Sequence, residues 1–144
     1  NNDGEKLASL FTVDGIYDDY IYGEFKGRRN IAMMLPTHFH RDAKNFSWEM
    51  YDLINNDSKG YARYRFSFTS TLTGSENLKV AVPGMAYFQF DGNLIKYYGE
   101  VVNGGIPMAQ LNLPAGKIKR VFEKWSDRAL DSDSELKKLY TKGE

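Results

Sequence analysis

With 144 residues, 42% of them hydrophobic and 15% aromatic, the chain is long enough for one domain with a real core. Its 19 Lys and Arg balance 19 Asp and Glu, which argues against a dedicated binder of nucleic acid or anionic membrane, since those carry a basic excess. There is no cysteine, so disulfides and thiolate metal sites are excluded, and no apolar run approaches the ~20 residues of a membrane-spanning helix.

Asp3 is a fair N-cap for a short helix that sets Leu7, Leu10 and Phe11 on one face and stops at Asp14-Gly15. Ile16–Tyr22 alternates as a strand with two adjacent acids; period 2 puts Tyr17 and Asp19 on one face and turns Asp18 away. Gly23 and Gly27 bracket a turn before a second helix, Arg28–Leu35, which Pro36 closes. Thr37–Asn45 reads as a polar loop holding His38 and His40. Phe46–Ile54 is a further strand with Phe46, Trp48 and Met50 on one face.

Three long strands follow: Tyr61–Thr71, Leu78–Phe90 and Leu94–Val102. In the first, Tyr64, Phe66 and Phe68 alternate with Arg63, Arg65, Ser67 and Thr69, the pattern of an antiparallel strand with two unlike faces. We take the aromatic face as the one that lines a cavity. Thr73-Gly74-Ser75 and Asp91-Gly92-Asn93 are turn chemistry, which makes the unit a meander. Asn103-Gly104-Gly105 breaks the last strand, and Ile106–Leu113 is an apolar stretch interrupted by Pro107. An amphipathic helix then starts at Pro114, with Ile118, Val121, Phe122, Trp125 and Ala129 on one stripe. The organisation expected is a single domain over residues 1–130 with a charged tail, 131–144. This order of elements predicts an α+β fold, a strongly curved antiparallel sheet wrapped around the early helices to leave a cone-shaped pocket.

Several stretches resemble the nuclear transport factor 2-like superfamily, and within it the SnoaL-like branch. They are Leu7-Ala8-Ser9-Leu10-Phe11 with Asp14, Ile16-Tyr17-Asp18-Asp19, Gly27-Arg28-Arg29-Asn30-Ile31, Tyr87-Phe88-Gln89-Phe90-Asp91-Gly92 with Ile95, and Tyr98-Gly99-Glu100-Val101-Val102-Asn103. The resemblance implies a cystatin-like α+β barrel. Members carry a further helix before the point where this sequence begins, so an apolar opening is expected near Leu7, Leu10 and Phe11.

The resemblance also implies site residues. Asp19 falls where ketosteroid isomerases of this superfamily place a general base, and where limonene-epoxide hydrolases place the Asn of a Tyr-x-Asn pair; Tyr17 matches that Tyr. Glu100 aligns with the acid on the last strand of epoxide hydrolases and SnoaL-like cyclases, with Tyr98 on the same face. The catalytic set implied is therefore Asp19, Glu100 and Tyr17, with Tyr98, Phe66, Phe68, Trp48 and Val102 against the substrate. An apolar cavity raises a carboxylic acid towards neutrality and a second acid pushes the pair apart, so one gives a proton while the other takes it. Two departures narrow the activity. Ala86 stands where steroid isomerases have an oxyanion-hole Asp, and Arg63-x-Arg65 stands where epoxide hydrolases have Arg-x-Asp.

His38 and His40 form an H-x-H pair with no matched third ligand, and we read them as surface or pocket-mouth side chains. No residue speaks for a metal or an organic cofactor. Two functions stay open: an isomerase, cyclase or epoxide-hydrolase type enzyme on an apolar cyclic or polyketide-like molecule, or a non-catalytic ligand-binding or dimerisation module. The partners expected are a small apolar molecule and a second copy of the chain, with neither nucleic acid nor membrane. The location expected is the cytoplasm, with a removed leading segment as the alternative because the sequence opens at Asn1.

Overall fold

Asp3 opens the first helix by accepting the Lys6 N–H at 3.0 Å, and α1 runs over Gly4–Ser9. The computed structural model describes residues 3–141 and divides the chain into two compact units, residues 1–111 and 112–144. The helix is shorter than the apolar spacing suggests, because Phe11 already begins β1 (Phe11–Asp19) by pairing with Ile95.

β2 (Gly23–Lys26) is a strand where the two glycines suggested only a turn. The chain reverses earlier, between Asp19 and Tyr22, and β2 returns antiparallel along β1 with Tyr17 opposite Phe25. α2 spans Arg28–Met34, and Pro36 does not end the helical run. A π-helical turn, Leu35–Phe39, follows, in which the His40 N–H reaches the Leu35 carbonyl; this wider spacing makes no use of the N–H that proline lacks. The run ends in a single turn, α3 (His40–Asp42), so both histidines sit in helical backbone, not in the expected loop.

β3 (Ala43–Asn55), β4 (Lys59–Ser70), β5 (Lys79–Asp91) and β6 (Leu94–Val102) complete a six-stranded sheet of order β2-β1-β6-β5-β4-β3. All neighbours are antiparallel except β1 and β6, which run parallel. The pairing of β3 with β4 slips at Asn45 and at Asp52, whose φ values of 55° and 51° lie in the left-handed region that Asn and Asp tolerate. Such irregularities bend a strand and raise its twist.

That face holds the core. Ala8 of α1 and Ile31 and Met34 of α2 are buried with Phe11, Tyr17, Tyr64, Ala86 and Tyr98 from the strands. Beyond β6, α4 (Gly105–Gln110) forms in the stretch that Pro107 seemed to interrupt, and Gln110 clasps the Ala81 backbone, accepting its N–H at 2.9 Å and donating to its carbonyl at 3.1 Å.

In the second unit, α5 spans Ala115–Ser132 with Pro114 just outside it as the cap residue. Its stripe sets Ile118, Val121 and Trp125 half-buried, and none of its residues is fully buried. α6 (Ser134–Thr141) occupies the segment expected as a charged tail; Asp133 caps it by accepting the Glu135 and Leu136 N–H groups. No helix among the described residues is long and apolar enough to cross a membrane.

Candidate functional site

Between the helices and the covered sheet face of the first unit lies a cavity of about 590 Å³. Leu7, Leu10 and Phe11 form one side, and Leu35 and Phe39 of the π-helical turn with His40 of α3 form another. Phe46, Trp48 and Met50 of β3 with Phe66, Phe88 and Ile95 make the sheet side, and Tyr17 and Tyr98 close the set. Among the described residues no Lys, Arg, Asp or Glu is on this wall. The opening expected near Leu7, Leu10 and Phe11 is there, with Leu10 half exposed. Tyr64 and Phe66 point inward as the alternation requires, while Arg63 and Arg65 lie on the opposite face over the Tyr51 ring, at 4.9 and 4.1 Å.

Tyr98 and Glu100 project from β6 to the cavity side, as period 2 dictates. Glu100 Oε2 accepts the Tyr98 hydroxyl at 2.9 Å and the Tyr64 hydroxyl at 3.1 Å, and Oε1 accepts the Tyr20 backbone N–H at 3.4 Å. The carboxyl itself does not line the cavity. It stands one hydrogen bond behind the wall, reached through Tyr98, whose ring packs 4.5 Å from that of Tyr17. Burial pushes the Glu100 carboxyl above the usual carboxylate range. The bonds from Tyr98, Tyr20 and Tyr64 pull it back, and the Asp18 charge adds a smaller upward push. The phenols of Tyr17, Tyr64 and Tyr98 are all driven upward, first by burial, so near neutral pH they serve as un-ionised donors.

The model of the SnoaL-like domain family matches residues 1–98. The chain belongs to this family. Solved structures agree on the fold of this SnoaL-like protein. A Catenulispora acidiphila protein with a ketosteroid isomerase-like fold, solved with trimethylamine, is 20% identical with a TM-score of 0.71, covering 81% of this chain and 87% of its own. A protein of Shewanella putrefaciens described as a SnoaL-like polyketide cyclase is 16% identical at a TM-score of 0.63, over 76% and 85% of the two chains. An LEH-like epoxide hydrolase from M. tuberculosis is 12% identical at a TM-score of 0.59, over 74% and 75% of the two chains. No curated protein matches the sequence.

In this SnoaL-like domain the remaining expected site residues fall in different places. Trp48, Phe66, Tyr17 and Tyr98 are on the cavity wall. Phe68 and Val102 share the covered face but are not part of that wall; Phe68 packs against Phe46 and Phe66. Asp19 is 3% exposed and also off the wall, and its Oδ1 accepts the Ile21 N–H at 2.9 Å and the Tyr22 N–H at 2.7 Å. That bonding ties the reversal between β1 and β2, so Asp19 has a structural task in the turn. Asp18 lies on the other face, accepting the Tyr97 hydroxyl at 2.7 Å.

His38 packs edge-on against Tyr22 and Phe25, while His40 sits at the cavity mouth, edge-on to Phe46. Among the described residues no group of three or more His, Asp or Glu side chains is placed to hold a metal. Tyr64, expected with Phe66 and Phe68 to line the cavity, is not on its wall, and the sequence did not show its role as a donor to Glu100. Its inward direction was legible, but its bond to Glu100 depends on how β4, β5 and β6 are aligned.

Proposed function

We propose that this SnoaL-like domain is a general acid–base enzyme of isomerase, cyclase or epoxide-hydrolase type acting on an uncharged apolar cyclic or polyketide-like molecule. Glu100 carries the proton, and Tyr98 links it to the cavity. Tyr17 positions Tyr98, and Tyr64 holds the second lone pair. Asp19 is the fixed partner acid: its commitment to the turn leaves proton exchange to Glu100. Trp48 and Phe66 pack against the substrate, whose lack of charge follows from a wall without a charged side chain.

The observation that carries this reading is a half-buried carboxyl that accepts two phenolic hydroxyls one hydrogen bond behind the wall of an otherwise apolar cavity, a setting that raises its pKa through desolvation. Such a group contributes typically 10²–10⁴ in rate. The families of the similar folds, polyketide cyclase and epoxide hydrolase among them, support the class of chemistry.

One observation favours a second reading, a binding module without turnover: Glu100 stands behind the wall and not on it. The same experiment separates the two. A panel of uncharged cyclic ketones and epoxides is titrated against Trp48 fluorescence and assayed for conversion, with wild type and Glu100→Gln side by side. The enzyme reading expects conversion that falls by about 10² or more in Glu100→Gln, with affinity retained. Equal turnover in both proteins would overturn it, and binding without conversion would establish the second reading. A homodimer through the open sheet face is proposed as well, supported by the exposure of Tyr61, Met85 and Val101 there. A single monomeric species in sedimentation at micromolar concentration would remove it.

A further inference from the structure

We infer that Gly84 is a positioning residue for Glu100: its bare backbone lets the Tyr64 ring cross β5 and set its hydroxyl on the Glu100 carboxylate. The inference rests on Glu100 as the reactive group proposed above, and it adds the residue that fixes one of that group's donors.

Tyr64 is on β4 and Glu100 on β6, with β5 between them. In the register, Tyr64 faces Gly84, Gly84 faces Val102, and Ala86 faces Glu100. Two strand spacings separate β4 from β6, about 9.5 Å. The phenol and the carboxylate nevertheless meet at 3.1 Å, so the Tyr64 ring lies down across the middle strand. That is open to it only where β5 carries little or no side chain. The two residues that β5 presents there are Gly84 and Ala86, the smallest available.

The space at Gly84 is already taken by the ring. A Cβ added there would come within 2.7 Å of Tyr64 Cε1 and would overlap its Cζ and hydroxyl more deeply still. The three nearest atoms to that methyl all belong to Tyr64. Backbone conformation does not explain the glycine, because Gly84 is not among the glycines with positive φ. Nor does a bulge, since the pairing with both neighbours is unbroken at this position. On its other side the ring packs against Trp48, a cavity-wall residue, with centroids 5.0 Å apart. Tyr64 is thus held between the cavity wall and a strip of bare strand, with its hydroxyl directed at Glu100.

The test is the coupling between two substitutions, read at Glu100 by ¹³C NMR titration of protein labelled at glutamate side-chain carboxyls, with Glu100→Gln identifying the resonance. Tyr64→Phe removes a donor to the ionised carboxylate, so in the wild-type background the Glu100 midpoint rises, by about one pH unit for one charge-assisted bond. In the Gly84→Ala background the hydroxyl is already displaced, so Tyr64→Phe leaves the midpoint where Gly84→Ala has put it. An equal rise in both backgrounds, or none in the wild type, would overturn the inference. Should Gly84→Ala fail to fold, Gly84→Ala/Tyr64→Ala is expected to fold, because the ring that meets the methyl is gone. Failure of that double variant would show that something other than Tyr64 excludes the methyl, which would also overturn it. The outcomes are separable from those for the proposed function. Full turnover in Glu100→Gln would remove the enzyme and leave this coupling intact, while equal Tyr64→Phe shifts would do the reverse.

Discussion

Tyr64 and Glu100 meet at 3.1 Å across the full width of β5. With the Tyr98 bond at 2.9 Å, this gives one carboxylate oxygen two phenolic donors beside the buried apolar core. The arrangement fits a carboxyl that must change its protonation state without leaving an unpaired charge behind.

The raised Glu100 pKa has a consequence for stability. Folding then binds the proton more tightly than the unfolded chain does, so this contribution is fully present below the unfolded value of about 4.3 and is lost as pH rises through the folded value. Wild type should therefore lose stability relative to Glu100→Gln as pH rises above about 4.3, followed by urea unfolding of both proteins at each pH. A gap that stays constant with pH, or that moves the other way, would contradict the assignment.

Asp19 separates a turn role from a catalytic one. Asp19→Ala removes the acceptor shared by the Ile21 and Tyr22 N–H groups and should destabilise by about 1–3 kcal/mol. Asp19→Asn keeps an acceptor and should cost less, with turnover largely retained. If Asp19→Asn instead abolished turnover at unchanged stability, Asp19 and not Glu100 would be the base.

At the cavity mouth, Leu10 is 53% exposed, so a larger side chain there obstructs entry without disturbing the core. Leu10→Trp should slow association of an apolar ketone severalfold in stopped-flow fluorescence, while thermal stability changes by no more than about 0.5 kcal/mol. Unchanged association would place the entrance elsewhere.

What the sequence disclosed follows the range over which each feature is specified. Tyr98 and Glu100 are two apart on a strand, so their common face was legible from alternation alone, as was the inward direction of Tyr64 and Phe66. The Tyr64–Glu100 bond was not, since 36 residues separate the partners and only the register of three strands brings them together. β2 escaped because Gly23–Lys26 is too short to show a period, and its pairing is set by the turn that Asp19 ties. Pro36 misled because a π-helical turn tolerates the missing N–H that would break an α-helix. Phe68 and Val102 lie on the correct face but beyond the cavity, a distinction that alternation cannot make.

Glu100, one hydrogen bond behind the cavity wall, holds its proton more tightly than an ordinary glutamate because it is desolvated there. The direct measurement is a site-resolved ¹³C titration of the Glu100 carboxyl in the wild-type protein from about pH 3 to pH 9, a range that brackets the free side chain's value of about 4.3. The expected midpoint lies clearly above that value and rises further when an uncharged apolar ligand fills the cavity and excludes water. A midpoint at or below the free value would contradict it, because the carboxylate would then serve only as a structural acceptor for Tyr64 and Tyr98.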